Sequence, residues 1–240
     1  MDTWVFIANP KRFNKFNRIL VLLFIILTAN IQLRAQSEII SSPGRNRINI
    51  NRTWKFYLGD AKNAEEISYD DSRWTDTHLP HSFSIPYFMW KDVYHGYGWY
   101  RKTIHITDDW ANKQFGIEFE GSFIETEVFL NGQKVGKHVG GYTSFSFDLT
   151  PYMHVGDNVL AVRVNNIWNA RVAPRAGDHQ FSGGIYRDVW LNVTDHLRVA
   201  DNGTFIYTKN VSSVSADVYA ETELRNDFNE DKTVEVISTL

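Results

Sequence analysis

The feature that most restricts what this chain can fold into is an alternation with a period of two. In SFSFDL, residues 144–149, Phe145, Phe147 and Leu149 alternate with Ser144, Ser146 and Asp148. In NVLAVRVN, residues 158–165, Leu160, Val162 and Val164 alternate with Ala161, Arg163 and Asn165. Successive side chains of an extended chain point to opposite sides, so each stretch presents one apolar face and one polar face. That is the pattern of a strand with one face in a core and the other in water. Within ETEVFLNGQKVGKH, Asn131-Gly132 offers the two positive-φ positions of a type I′ hairpin turn. A two-residue loop there pairs Leu130 with Gln133, Phe129 with Lys134 and Val128 with Val135. SGGIYRDVWL, residues 182–191, runs paired glycines into a further alternation, with Arg187, Val189 and Leu191 on one side and Tyr186, Asp188 and Trp190 on the other.

Such segments recur from about residue 99 to 193, separated by Gly, Pro, Asn and Asp clusters, with no helical pattern of any length. The expected fold is all-β, an antiparallel β-sandwich. A second group of strand-like segments begins after about residue 200: TFIYT (204–208), ADVYAETEL (216–224) and KTVEVISTL (232–240). An immunoglobulin-like sandwich takes on the order of 100 residues. This group is therefore expected to be the start of one, with an unpaired edge that frays or aggregates in isolation.

The N-terminus has a different character. Basic KRFNKFNR (11–18) precedes the apolar run ILVLLFIILTANI (19–31), and LRA then places a small residue, Ala35, before Gln36. This is the pattern of an export signal removed near Ala35, with an uncleaved signal anchor as its rival. The formal charge is −3, and loss of residues 1–35 would remove Lys11, Arg12, Lys15, Arg18 and Arg34 together with only one acid, Asp2. The remaining chain is acidic and a poor partner for nucleic acid. Cysteine is absent, so disulfides contribute nothing to stability, and no HExxH pattern occurs. His78 and His81 in HLPHSF could pair on a metal, but the stretch reads as a loop. Asn-x-Ser/Thr sequences at Asn51, Asn192, Asn202 and Asn210 arise too often by chance to decide anything.

Two carboxylate pairs, Glu118 with Glu120 and Glu125 with Glu127, sit at i, i+2 spacing. On a strand that places them about 6.6 Å apart on one face, a spacing compatible with the acid and second carboxylate of a glycosidase. Acids alternating with Phe119, Val128 and Leu130 are equally what the wet face of a strand looks like. No GxSxG elbow, nucleophilic Cys or phosphate-cradling GxxxxGK[ST] loop occurs. YFMWKDVYHGYGWYRK (87–102) gathers Tyr87, Phe88, Trp90, Tyr94, Tyr97, Trp99 and Tyr100 around two glycines. Such rings suit flat, hydroxyl-rich sugars, or they belong to the core.

Five stretches carry a more specific signal: WKFYLGDAKNAEEISYDDSRWTDTHLPHSF (54–83), GYGWYRKTIHI (96–106), FEGSFIETEVFLNGQKVGKHVGGYTSFSFDLT (119–150), GDNVLAVRVNN (156–166) and GDHQFSGGIYRDVWL (177–191). In this order they resemble the N-terminal sugar-binding domain of glycoside hydrolase family 2, which includes β-galactosidases, β-glucuronidases and β-mannosidases. The resemblance covers about residues 48–195. It implies a signal peptide at 1–35, a linker at 36–47, a jelly-roll sugar-binding domain at 48–198 and part of an immunoglobulin-like domain at 199–240. It also implies retaining hydrolysis by two glutamates of a (β/α)₈ barrel. The 240 residues hold no such barrel on this reading, so no catalytic residue is expected in them and the chain alone is expected to be inactive.

In β-galactosidases of the family, an Asp a few residues before the Gly-Ile-aromatic-Arg-Asp stretch reaches the terminal sugar, and Asp178 stands at that position. A second contact comes from an Asn in the loop before the Gly-x-Tyr strand. Here His95 stands about there, and a His ring nitrogen also bonds a hydroxyl. Gly183 and Gly184 would let the backbone turn without obstruction, and Arg187 and Asp188 would be structural. The partners implied are a carbohydrate, a terminal β-galactoside or related sugar, and the barrel domain of the same polypeptide. No cofactor, metal or nucleic acid is expected, and no membrane except through the leader before cleavage. A non-catalytic carbohydrate-binding module and a purely structural sandwich are the alternatives.

Overall fold

A computed structural model describes residues 38–42, 44–83, 94–173 and 182–239. The strands, in chain order, are β1 (Ile39–Ser42), β2 (Arg45–Asn49), β3 (Trp54–Leu58), β4 (Thr75–Thr77), β5 (Tyr97–Ile106), β6 (Gln114–Phe119), β7 (Glu125–Leu130), β8 (Gln133–Val139), β9 (Phe145–Asp148), β10 (Gly156–Asn165), β11 (Val189–Thr194), β12 (Leu197–Lys209) and β13 (Asp217–Asn226). Helical structure among the described residues is confined to short 3₁₀ turns such as Asp108–Trp110 and Thr150–Tyr152.

Two antiparallel sheets form the sandwich, one of five strands in the order β1-β2-β11-β6-β9 and one of six in the order β4-β3-β5-β10-β7-β8. A single apolar cluster joins their inner faces. Phe115, Ile117, Phe119, Val189, Leu191 and Val193 come from the first sheet, and Tyr100, Ile104, Val128, Leu130, Leu160 and Val162 from the second. Trp54 is fully buried there, and its indole N–H donates to the Ile50 carbonyl at 2.7 Å, so its one polar atom is satisfied. The alternation expected for β9 and β10 holds. Leu160, Val162, Val164 and Leu149 are fully buried, and Phe145 and Phe147 pack against the same core.

The turn at Asn131-Gly132 has φ of 53° and 80°, as a type I′ turn requires. Leu130 pairs with Gln133 and Phe129 with Lys134, but Val128 pairs with Gly136 instead of Val135. A bulge takes up the extra residue. After it, Gly136 lies beneath the Phe147 ring, which sits 2.3 Å from where a Cβ would be.

Other expectations change as well. The stretch 36–47, expected as a linker, is largely strand from residue 39 onward. Strands β1 and β2 form a hairpin, and β2 pairs with β11 from Asn49↔Trp190 to Arg45↔Thr194, completing the five-stranded sheet. In SGGIYRDVWL the strand begins only at Val189, and every residue of β11 is buried, the outward-facing Trp190, Asn192 and Thr194 included. The outward side of the six-stranded sheet is not wet throughout either. Ala61, Ala64 and Trp74 close over Trp99 and Ala161 in a second apolar cluster. Beneath that cover Arg101, 3% exposed, ion-pairs with Asp71 at 2.8 Å and also donates to the Ala64 and Glu66 carbonyls.

Past the sandwich, β12 and β13 form a largely exposed two-stranded hairpin. Residues 232–239, expected as a further strand, join no ladder among the described residues. Val236 and Ile237 are 51% and 78% exposed there.

Candidate functional site

The sequence points to His95 and Asp178, and the described backbone shows how the residues that border 84–93 and 174–181 are held. Asn166, fully buried just past the end of β10, runs alongside the residues that precede β5. Its backbone N–H donates to the Gly96 carbonyl at 3.1 Å, its side-chain oxygen accepts from the Gly96 N–H at 2.8 Å, and its side-chain nitrogen donates to the Tyr94 carbonyl at 2.8 Å. Both neighbours of His95 are thus clamped while His95 itself is exposed. A peptide held by hydrogen bonds on either side presents the residue between them with little freedom.

The other half is the strained stretch Gly183-Gly184. Their φ values are +63° and +103°, a region that favours glycine. A Cβ on Gly183 would fall 2.4 Å from the Phe83 ring and 2.9 Å from Asn166 Cβ, and one on Gly184 would fall 2.6 Å from the His81 carbonyl oxygen. The missing side chains let this segment press against 81–83. There the N–H groups of His81 and Phe83 donate to the carbonyls of Ile185 and Gly183, and the Phe123 N–H donates to Gly184. Ser82 Oγ donates to the Ser182 carbonyl at 3.3 Å. Phe83, Tyr94 and Ser182, which border residues 84–93 and 174–181, therefore meet at one end of the sandwich. Asp178, Tyr87, Phe88 and Trp90 lie outside the described residues.

The floor of this end is neutral. Tyr100, fully buried, shares a 2.8 Å hydrogen bond between its hydroxyl and His81 Nδ1. Burial pushes the Tyr100 phenol well above its usual range and lowers His81 to about 4. The His81 ring packs against Phe56 and Tyr100, with centroids at 4.5 and 5.6 Å. It is a packed, uncharged histidine, and no cluster suited to a metal ion occurs among the described residues.

The described rings of 87–102 serve the interior: Trp99 and Tyr100 are buried and Tyr94 and Tyr97 partly so. Exposed rings come from elsewhere. Tyr142, 65% exposed, contacts Phe123, whose N–H is bonded to Gly184, and Trp168, 55% exposed, follows two residues after Asn166. Tyr186 donates its hydroxyl to the Gly141 carbonyl at 2.5 Å, tying the chain before Tyr142 to the same end. Sequence reasoning missed Asn166, Tyr142 and Trp168. The signal for Asn166 was a second Asn directly after an alternating strand.

Arg187 is exposed, while Asp188 is structural: it accepts from the Asn51 side-chain nitrogen at 2.8 Å, and Asn51 accepts from the Val189 N–H. The carboxylate pairs are bound in ion pairs. Glu118 and Glu120 hold Arg47, Glu127 holds Lys134 and Arg163, and Glu125 holds Lys137. Each is engaged by a cation on the outer side of a sheet, Glu118 and Glu120 sharing Arg47, which removes the case for an acid and base there.

Residues 49–195 match the family model described as glycosyl hydrolases family 2, sugar binding domain. A β-galactosidase of Bacteroides ovatus is 37% identical over 215 residues, covering 85% of this chain and 24% of its own length. A β-glucuronidase of Formosa agariphila is 33% identical over 236 residues, covering 85% of this chain and 23% of its own. The crystal structure of a Bacteroides uniformis β-glucuronidase superimposes with a TM-score of 0.74 at 38% identity, over 78% of this chain and 23% of that one. The chain thus spans about a quarter of the length of the relatives it matches.

Proposed function

The chain belongs to glycoside hydrolase family 2, and from that premise we propose that it is the exported, sugar-gripping front of a longer β-galactosidase-like exo-glycosidase. On this reading polypeptide beyond residue 240 contributes a (β/α)₈ barrel with two glutamates, one a nucleophile and one an acid/base, and hydrolysis retains configuration. The barrel breaks the bond, and this domain holds the terminal sugar against it. Asp178 accepts hydrogen bonds from sugar hydroxyls, each charge-assisted bond contributing about 1.5 to 3 kcal/mol. His95 adds a contact from the opposite segment. A carboxylate at 178 also selects among substrates: beside a uronate it would set two like charges together, whereas a neutral galactoside brings only hydroxyls. Residues 1–35 act as the export leader, cleaved after Ala35, which delivers the protein to the periplasm or the exterior. The stretch from 199 opens an immunoglobulin-like domain.

The observation that carries this reading is the Asn166 clamp beside Gly183-Gly184, which brings the borders of both sugar-contacting segments to one end. The exposed rings of Tyr142 and Trp168 at that end favour a second reading, a non-catalytic carbohydrate-binding module. The test is Asp178→Ala in the longer polypeptide. We expect kcat/KM on a nitrophenyl β-galactoside to fall about ten- to hundredfold, and an unchanged value would sink the assignment. The 240-residue chain alone should release no nitrophenol. Clear galactoside affinity in that chain would support the module.

A further inference from the structure

The outward side of the five-stranded sheet carries a polar cleft that none of the preceding chemistry uses. Val189, Leu191 and Val193 of β11 enter the core, so Trp190, Asn192 and Thr194 face outward. Opposite Asn192 in the β11–β6 register stands Gly116. A Cβ there would have ordinary contacts only, 3.8 Å to Asn192 Cβ and to the Phe147 carbonyl oxygen, so the glycine leaves a flat, open floor. Two adjoining hollows of about 210 and 320 Å³ share Ser146, Asn192 and Asp201, the second running over Gly116 towards the β12–β13 hairpin. Together they reach the size of small-ligand sites.

Asn192 supplies the second observation. It is 8% exposed, lines both hollows, and its side-chain oxygen is the one buried side-chain polar atom among the described residues with no hydrogen-bond partner. Its nitrogen makes a single long contact, 3.4 Å to Glu118. A buried amide oxygen left unpaired costs stability unless something accepts the role of donor. The charge of the cleft is already balanced. Arg45 is paired with Asp201, Arg47 with Glu118 and Glu120, and Arg198 with Asp227. An anion would have to displace one of these carboxylates, whereas a ligand rich in neutral hydroxyls would donate to Asn192 and exchange bonds with Ser144 and Ser146 at the rim.

We propose that this cleft is a second carbohydrate subsite, which seats a neutral oligosaccharide across Gly116 and Asn192. The choice of a sugar rests on the function proposed above. The location does not, because Gly116 and Asn192 lie on the outer side of the five-stranded sheet, whereas His95 precedes β5 of the other sheet.

The full chain, ¹⁵N-labelled, is titrated with a neutral β-linked galactotetraose and read by amide shifts. Shifts are expected at the Asn192 side-chain amide and the Gly116 N–H. Gly116→Leu should fill the floor and weaken binding at least about tenfold with the thermal midpoint retained, and Gly116→Ala should weaken it less. The proposal is overturned if Gly116→Leu binds as tightly as the parent, if shifts gather around His95 and Asp178 alone, or if no shift appears at millimolar tetraose. The kcat/KM of Asp178→Ala in the longer polypeptide is read separately, so a failed cleft and a failed substrate assignment give different results.

Discussion

The two outer faces of the sandwich are built from the same kind of alternating strand and end in opposite states. On the six-stranded sheet, residues 59–74 fold back over Trp99 and Ala161 and bury Arg101 against Asp71. On the five-stranded sheet, Gly116 and Asn192 floor an open cleft edged by exposed ion pairs such as Arg45 with Asp201. Both faces carry arginine–carboxylate pairs, yet the pairs do different work. The covered pair has lost water on the arginine side and must keep every partner it has. The open pairs exchange with solvent and contribute little individually.

That contrast predicts unequal responses to the same truncation. Arg101→Ala removes the cation that satisfies Asp71 and the carbonyls of Ala64 and Glu66 under the cover. A loss of about 3 to 5 kcal/mol is expected, measured by urea denaturation. A loss below 1 kcal/mol would mean the cover opens to water and the two faces are alike.

The interior behind the candidate site should respond next. His81 is held at about 4 by burial, below its unfolded value of about 6.5. Between these limits the unfolded chain binds the proton and the folded chain does not, so stability falls as pH drops from about 6.5 towards 4. For a partly buried ring, screening reduces the effect to about 1 to 2 kcal/mol. His81→Phe should flatten the curve of thermal midpoint against pH in that window. An unchanged slope would show that His81 does not set the acid response, since Asp60 and Glu127, whose pKa values are lowered, lose their contribution only as pH falls below the usual carboxylate values of about 4.

The smallest effect belongs to the open face. Arg45→Ala, which breaks the pair with Asp201 and a bond to the Val199 carbonyl, should cost about 0 to 1 kcal/mol. A cost comparable to that of Arg101→Ala would show that the hairpin seals this face more tightly than the exposure of Asp201 suggests.

Much of this was readable before any coordinates. The alternation at 144–149 and 158–165 identified the buried side of β9 and β10, because a period of two leaves no other way to segregate apolar residues. Asn131-Gly132 set the first two pairs of its hairpin. The third escaped because a bulge near Val135 shifts the register and brings Gly136, not Val135, opposite Val128, beneath the Phe147 ring of another strand. The β1–β2 hairpin escaped for a related reason: its partner, β11, lies some 140 residues away, and RNRIN has no apolar periodicity to announce a strand. At the candidate site the glycine pair was legible and its neighbours were not. That Gly183-Gly184 presses on His81 and Phe83, or that Asn166 clamps the flanks of His95, depends on contacts between segments far apart in the chain.

The sequence alone determined the strand period, the hairpin turn, the separation of polar from apolar sides and the family to which residues 49–195 belong. Each is a local property, written within a few residues or repeated along a motif. Only the tertiary structure decided which polar side would be covered, which would stay open, and which two segments would share an end. Alternation tells a side chain to face away from its neighbours. It carries no record of what arrives from elsewhere in the chain to meet it.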